Sequence, residues 1–532
     1  MKKKEAKISV PAIIGNEIMS LYLLIMLGFF PVYYRYQYSK MGNSKYQLFK
    51  YASVICVVLM LLVGVVGFLL QIKKNGWKET KQKLSLKGSL LDKAVLIYFL
   101  CTSVSYIFCG FLKDGFFGAS GWFMGYLSQL LFVAIYFFVS RAWKFNQNYL
   151  WILLVTSAIA FLVGILHRFN IDPFDIYGEL ELKYKMQFLS TMGQSSWYSS
   201  FLCTVFPVGL YLFFVADKAL IRRLSGVFSV LAMLSLVTQN TDSAFMCLAA
   251  VLLVLFYLAF DGRKQMLRFL EVLILIFGSF TFMGVCQRVF ADRVIPIDSL
   301  SIFMSQGWVS PVILLLAIGL YFWKREALSM VIQNEELKRS FFWILVVVAG
   351  IAAAVVVLFI ILNSTGFLYT HFGYQNENNY LLFTDKWGNQ RGFAWRFTAE
   401  SYAGLPFYRK LIGVGPDCYS FYNASVPELA EQVKAFWGKL SLTNAHNEYL
   451  TKLYNLGAVG VLSYVFMLGS AVYIFIKKRK DHILLPAFAL CVVSYMTHLI
   501  FCYEQVCCTP IFYILIGFGS NLIHNKEGKS AY

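Results

Sequence analysis

Apolar and polar positions along this chain come in long blocks, without the alternation of a surface strand. Runs of about 18 apolar residues, each long enough to cross the hydrocarbon core of a bilayer, recur from end to end between short polar segments. In order they predict about fourteen membrane-spanning helices, near residues 17–34, 51–71, 93–112, 121–140, 149–166, 197–215 and 225–240 in the first half. The rest lie near 243–260, 269–286, 308–323, 341–362, 449–476, 483–501 and 509–523. The seventh and eighth form a tight hairpin around Thr238-Gln239-Asn240-Thr241-Asp242. One connection is long: about 85 residues separate the eleventh and twelfth runs, too many for a simple turn, so this loop is expected to be ordered or functional. The chain therefore divides into 1–362 with helices one to eleven, 363–448 as a large loop, and 449–532 with the last three helices and a tail. Within the loop, Val433, Phe436, Trp437 and Leu440 share one helical face, the pattern of a helix lying at the membrane interface.

Composition strengthens this picture. Of 532 residues 59% are hydrophobic and only 14% charged, against about a quarter charged in soluble domains, and the mean hydropathy is +0.63. The expectation is one all-α polytopic membrane protein, not a string of soluble domains. An aromatic content of 18% excludes disorder. The net charge of +19 does not point to nucleic acid, because its distribution follows membrane topology. With the N-terminus in the cytoplasm, 29 of the 47 Lys and Arg fall in inside segments, and 8 of the other 18 lie in the long loop, where the positive-inside bias carries little weight. Both termini are thus expected inside and the large loop outside. Lys2-Lys3-Lys4 resembles a signal-peptide start, but Phe29-Phe30-Pro31 follows where a small-residue cleavage site would stand, so the first helix is expected to be retained.

The eleven cysteines are scattered. Cys56, Cys101, Cys109, Cys203, Cys247 and Cys491 fall in apolar runs, where they act as small hydrophobes, and Cys507-Cys508 is expected to pack towards lipid. The loop holds only Cys418, so no disulfide framework is expected. No Cys and His spacing resembles a zinc site, and no metal or cofactor is expected. The predicted spans contain almost no ionisable residues away from their ends, which argues against ion-coupled transport. His498, late in the thirteenth span, reads as a hydrogen-bonded packing residue.

Polar chemistry concentrates in the long loop. In Arg391-Gly392-Phe393-Ala394-Trp395-Arg396, guanidinium forks can grip phosphate oxygens bidentately or anchor the loop to lipid headgroups. Gly413-Val414-Gly415-Pro416-Asp417 is a glycine turn, with a phosphate cradle as the alternative. In Asn444-Ala445-His446-Asn447-Glu448-Tyr449-Leu450, Asn444 or Asn447 can cap the twelfth helix. His446 is then either a structural interfacial residue or a neutral imidazole able to take a proton from a hydroxyl.

The ordered series of arginine, aromatic-rich helix, Gly-x-Gly-Pro-Asp and Ala-His-Asn-x-Tyr-Leu, followed by Gly457 and Gly460, resembles the C-terminal signature of the O-antigen ligase and O-antigen polymerase superfamily. The likeness covers roughly residues 385–470 and is weaker over 185–260, where Thr191-Met192-Gly193-Gln194 resembles that family's Gly-Asn-type segment. The resemblance implies a GT-C-like helical membrane glycosyltransferase that needs no metal and works on the outer face of the bacterial cytoplasmic membrane. Its donor would be a glycan on undecaprenyl pyrophosphate, its acceptor a sugar hydroxyl, and its partners the lipid bilayer and proteins that control chain length. Arg391 matches the arginine that engages the donor pyrophosphate, and His446 the histidine needed for transfer. Arg396, Asn447, Gly413 and Gly415 are then expected to contribute to the substrate site.

One position departs from the family. Relatives commonly carry Ser-Arg-Gly where this chain has Thr241-Asp242-Ser243, which reverses the charge. Asp242 is therefore expected to pair with Arg391 or Arg396, or to orient the acceptor, with Arg288, Arg293 or Arg168 supplying the missing cation. The competing reading is a lipid-linked oligosaccharide flippase or polysaccharide exporter, which needs a charged central cavity and matching halves.

Overall fold

Inside a bilayer the backbone has no water to bond, so spanning segments must close their hydrogen bonds within helices. The computed structural model describes residues 9–83, 88–297, 299–323, 335–378, 380–438 and 441–524, and it is helical at every expected apolar run. The first half comprises α1 (Val10–Leu23, continued by a π-helical stretch Leu24–Phe29), α2 (Met41–Lys83), α3 (Leu90–Ile107), α4 (Leu112–Phe117), α5 (Tyr126–Arg141), α6 (Asn148–Arg168) and α7 (Leu182–Lys185). A two-residue antiparallel pair, β1 (Phe188–Leu189) and β2 (Gly193–Gln194), sets Phe188 opposite Gln194. Then come α8 (Ser195–Val215), α9 (Ala219–Thr238), α10 (Ser243–Ala259), α11 (Arg263–Val289), α12 (Ser299–Gln306), α13 (Val309–Trp323) and α14 (Glu335–Ser364). The long loop folds into α15 (Phe367–Phe372), α16 (Trp387–Gly404), α17 (Phe407–Ile412), α18 (Tyr419–Ser425) and α19 (Pro427–Trp437). The chain ends in α20 (Glu448–Lys477), α21 (Leu485–His498) and α22 (Thr509–His524).

This is an all-α membrane protein. Among the described residues nine helices are long and apolar enough to cross a bilayer, or ten if α12 and α13, bent by 44°, form one broken span. The difference from fourteen lies in that pair and in α5, α10, α21 and α22, which are apolar but only 10–17 residues long. Helices also run past the hydropathy boundaries. For example, α2 starts at Met41 rather than near 51, because the buried Lys45 ammonium donates to the carbonyls of Phe30 (2.8 Å) and Pro31 (3.4 Å). A cation solvated by carbonyl dipoles in this way can enter the bundle although hydropathy scores it as an end.

Burial separates centre from rim. The apolar window of α8 is 89% buried, whereas that of α14 is 0% buried, with Val347, Ile351 and Val355 among its exposed side chains. A helix apolar on every face and bare of protein suits lipid rather than water. At one end of the bundle Asp92 of α3 gathers Arg141 from the end of α5, Tyr136 (2.8 Å) and His524 from the end of α22 (3.0 Å). The opposite end joins the ends of α3, α6, α9 and α21 to the starts of α8, α10 and α20. Ser105 Oγ reaches Asn455 O (2.9 Å), Arg168 Nε reaches Thr238 O (2.7 Å), and Ser243 Oγ lies 3.1 Å from His498 Nδ1.

The segment between α14 and α20 has its own small core of Phe393, Phe397, Tyr419 and Val433 against Tyr454 of α20. Here α19 departs from expectation: Phe436 stacks on Phe393 with centroids 4.1 Å apart, so its apolar face covers α16 rather than lipid. Leu440, the Lys2-Lys3-Lys4 run and the C-terminal tail lie outside the described residues. Cys507 and Cys508 are likewise not lipid-facing. They sit in the protein interior, Cys508 Sγ 2.7 Å from Ser200 Oγ.

Candidate functional site

Arg391 is positioned by a kink. Gly388, Asn389 and Gln390 all have positive φ (56°, 58° and 70°), and regular helix resumes at Arg391. Its Nη1 donates back to Gly388 O (2.8 Å) and its Nε to Phe501 O (3.1 Å). Among the described residues it pairs with no carboxylate. Its positive charge is therefore held by carbonyl dipoles alone and remains to be matched by an anion.

His446 stands just ahead of α20 with φ 51°, a left-handed conformation. Its amide donates to Asn444 Oδ1 (2.9 Å), which stabilises that turn, and Asn447 caps α20 by accepting from Leu450 N (3.0 Å). Of the two capping alternatives, Asn447 is thus the cap and Asn444 the turn-former. The imidazole packs edge-on to Tyr503, 5.3 Å between centroids, and neither ring nitrogen has a hydrogen-bond partner among the described residues. Burial and then the positive charge of Arg391 push its pKa down to about 4. It is therefore a neutral imidazole at physiological pH.

Arg391 and His446 thus meet on one short segment, Phe501 to Tyr503, between α21 and α22. Tyr503 also donates to Gln194 Oε1 (3.1 Å) and packs against Trp122 at 4.6 Å, which brings the strand pair before α8 to the same place. Residues 502–508 are all buried, so protein surrounds this non-helical segment.

Beneath this surface lies a buried ionic group. Lys452 is 2.8 Å from Glu504 Oε2 and 3.3 Å from Glu448 Oε1, Tyr464 donates to Glu504 (2.8 Å), and the amide of Glu504 donates to Glu448 (2.8 Å). A polar cavity of about 30 Å³, room for roughly two waters, is lined by Gln129, Asp417, Asn444, Lys452 and Glu504 among others. Neither Arg391 nor His446 lines it. The Asp417 carboxyl accepts from Ala119 N (2.8 Å) and Met124 N (3.0 Å), yet burial pushes its pKa up to about 7.

The other expected site residues fare differently. Gly413 and Gly415 do not form a phosphate cradle, because their amides are spent. Gly413 N donates to Arg409 O (2.6 Å), Val414 N to Tyr454 O (3.1 Å) and Gly415 N to Asn455 O (2.9 Å). The carbonyls of Tyr454 and Asn455 are available because α20 breaks at Gly457, φ 72°. A Cβ on Gly413 would lie 2.2 Å from Asn455 O, and one on Gly457 would lie 2.3 Å from the Leu411 carbonyl, so the turn and the break need each other. Arg396 is exposed and neutralised by a bidentate pair with Asp385 (2.9 and 2.7 Å) and by Glu400 (3.1 Å). Neither Arg391 nor Arg396 pairs with Asp242. Instead Asp242 Oδ2 accepts from Tyr380 (3.1 Å), tying the loop to the start of α10.

Nor is Arg168 an outer-loop cation. It is fully buried and donates to Thr238 O (2.7 Å) and Pro296 O (3.1 Å), while its carbonyl accepts from Ile295 N (2.9 Å). Arg288 and Arg293 are exposed, Arg288 donating to Gln306 O. Hydropathy reading missed the 501–505 segment and Lys452. The signal was present in Glu504-Gln505, a polar pair inside an apolar stretch, and in Glu448 and Lys452, spaced one helical turn apart. One grouping among the described residues has metal-ligand chemistry, Cys203, Cys247 and His498. The sequence matches no protein-family model and no curated protein.

Proposed function

We propose that this protein is an integral membrane glycosyltransferase of the kind that makes cell-surface polysaccharide. It takes a glycan from a polyprenyl pyrophosphate and joins it to a sugar hydroxyl outside the cytoplasmic membrane, as its resemblance to O-antigen ligases and polymerases implies. On this reading the fourteen apolar helices all cross the membrane and the segment from α15 to α19 faces outwards. The observation that carries the proposal is the meeting of an arginine without a carboxylate partner and a neutral histidine on residues 501–503.

The chemistry follows from those two groups. The acceptor oxygen attacks the anomeric carbon, the bond from that carbon to the pyrophosphate oxygen breaks, and the acceptor proton passes to His446. Negative charge grows on the departing pyrophosphate, where a fixed guanidinium in a water-poor site stabilises it. Arg391 also sets the timing. Burial first, and then the charge of Arg391, hold His446 at about 4, a weak base, and once an anion neutralises Arg391 its share of that depression is lifted and the proton affinity of the imidazole rises. The base is thereby strengthened only when the donor is bound.

The test is glycan transfer by full-length variants at matched expression in the membrane. Arg391→Ala abolishes transfer, and His446→Ala lowers it by about 10²–10⁴-fold, the usual weight of a general base. Arg391→Lys restores little, since an ammonium lacks the bidentate fork. Wild-type polymer from both alanine variants would overturn the proposal. The exporter reading is weaker on one observation: the cavity lined by the buried charges Glu448, Lys452 and Glu504 measures only about 30 Å³, far too little for a glycan to pass.

A further inference from the structure

Cys203 of α8, Cys247 of α10 and His498 at the end of α21 are far apart in sequence, yet their ligand atoms all lie within 4.8 Å of one another. All three residues are fully buried, at 0% exposure. The imidazole is oriented through one nitrogen, with Nδ1 3.1 Å from Ser243 Oγ, while Nε2 is buried with no hydrogen-bond partner. Buried polar atoms almost always find partners, and neighbouring thiols are poor ones. A nitrogen left over beside two sulfurs, with its ring held by a hydroxyl at the other nitrogen, is the arrangement of a metal-binding histidine and its outer hydrogen bond.

We infer that Cys203, Cys247 and His498 bind a thiophilic divalent cation, with zinc the best match. Zinc takes Cys sulfur at about 2.3 Å and His nitrogen at about 2.0 Å in tetrahedral sites, so its ligand atoms stand roughly 3.5 Å apart. Closing from within 4.8 Å asks only for side-chain adjustments of about an ångström. Charge favours the ion in this low-dielectric place. Two thiolates and a neutral imidazole around a dication sum to zero, so no net charge is buried. Binding releases the two thiol protons to solvent, and with Nδ1–H donating to Ser243 the Nε2 lone pair faces the metal. The fourth position falls to water, which leaves the charge sum at zero.

The role is structural. His498 opens the segment whose Phe501 carbonyl holds Arg391 and whose Tyr503 packs on His446. An ion linking α8, α10 and α21 there would fix that segment in place. Sequence spacing could not show such a site, because its ligands come from three helices.

The test is metal analysis of the full-length protein, purified in detergent without chelator. About one zinc per chain is expected, and the Cys203→Ser/Cys247→Ser double variant loses it. Cobalt substitution gives the wild type a thiolate-to-cobalt charge-transfer absorption that the double variant lacks. Ser243→Ala, which keeps every ligand, loses metal to chelator about 10–100-fold more readily. If the double variant does not fold, stripping the wild type with chelator still lowers its melting temperature and zinc restores it. Three results would overturn the inference: wild type without stoichiometric metal after growth with zinc, metal retained equally by the double variant, or a Cys203–Cys247 disulfide in the unreduced protein.

Discussion

His446 and Asp417 carry opposite perturbations, and the sign of each can be tested. The folded state holds His446 neutral, down at about 4 against about 6.5 in an unfolded chain. Its contribution to stability is thus complete above about pH 6.5 and is lost as pH falls through about 4. Melting measured in detergent across that window should fall less steeply for His446→Gln than for the wild type. Asp417 is the reverse case, raised to about 7 from about 3.9. Its protonated form is favoured, so its contribution is full below about pH 4 and disappears as pH rises through about 7. Asn at 417 keeps an oxygen for the amides of Ala119 and Met124. Asp417→Asn should therefore melt like wild type below about pH 4 and higher than wild type at neutral pH, where the buried carboxyl ionises at a cost, whereas Asp417→Ala orphans two buried donors and should cost about 1–3 kcal/mol at acid pH. Equal melting of the Asn and Ala variants would show that the two amides do not depend on this side chain.

Among the elements, α20 carries most of the construction. Its break at Gly457 frees two carbonyls for the 413–415 turn, and backbone at φ 72°, ψ −178° is nearly closed to residues with a Cβ. Gly457→Ala should cost at least about 1–3 kcal/mol from strain alone, with the Leu411 contact adding to it. Near the start of the same helix Lys452 is flanked by two buried carboxylates, Glu448 on the helix and Glu504 on the segment between α21 and α22. Lys452→Met leaves two buried anions facing each other and should cost about 3–5 kcal/mol, while Glu504→Gln leaves the Glu448–Lys452 pair and should cost less. A thermal melt of both variants checks the order, and a Glu504→Gln variant less stable than Lys452→Met would refute this account of the group.

At the scale of the molecule, helix ends alternate between two sets. Asp92, Arg141 and His524 meet at one end, while Arg391, His446 and Tyr503 meet at the other. If the large loop faces outwards, a cysteine at Phe407, 77% exposed, will react with an impermeant maleimide in intact cells, and a cysteine at Lys480 will react only after permeabilisation. Labelling in the opposite pattern would invert the topology. The membrane character and the helix positions were legible in the chain because partition into lipid depends on local composition, and fourteen apolar runs became helices without reference to one another. The candidate site was legible only in part. Arg391 and His446 stand out by type, but nothing local distinguishes Arg391 from Arg396, which two carboxylates neutralise, or from Arg168, which backbone carbonyls consume.

By itself, then, the order of residues determined a helical chain meant for a bilayer, since burying apolar side chains and closing backbone hydrogen bonds are decided within each segment. Only the tertiary structure decided which charges are spent and which remain, because that depends on partners far away in the chain: Phe501 for Arg391, Tyr503 for His446, and the helix break at Gly457 for the glycine turn.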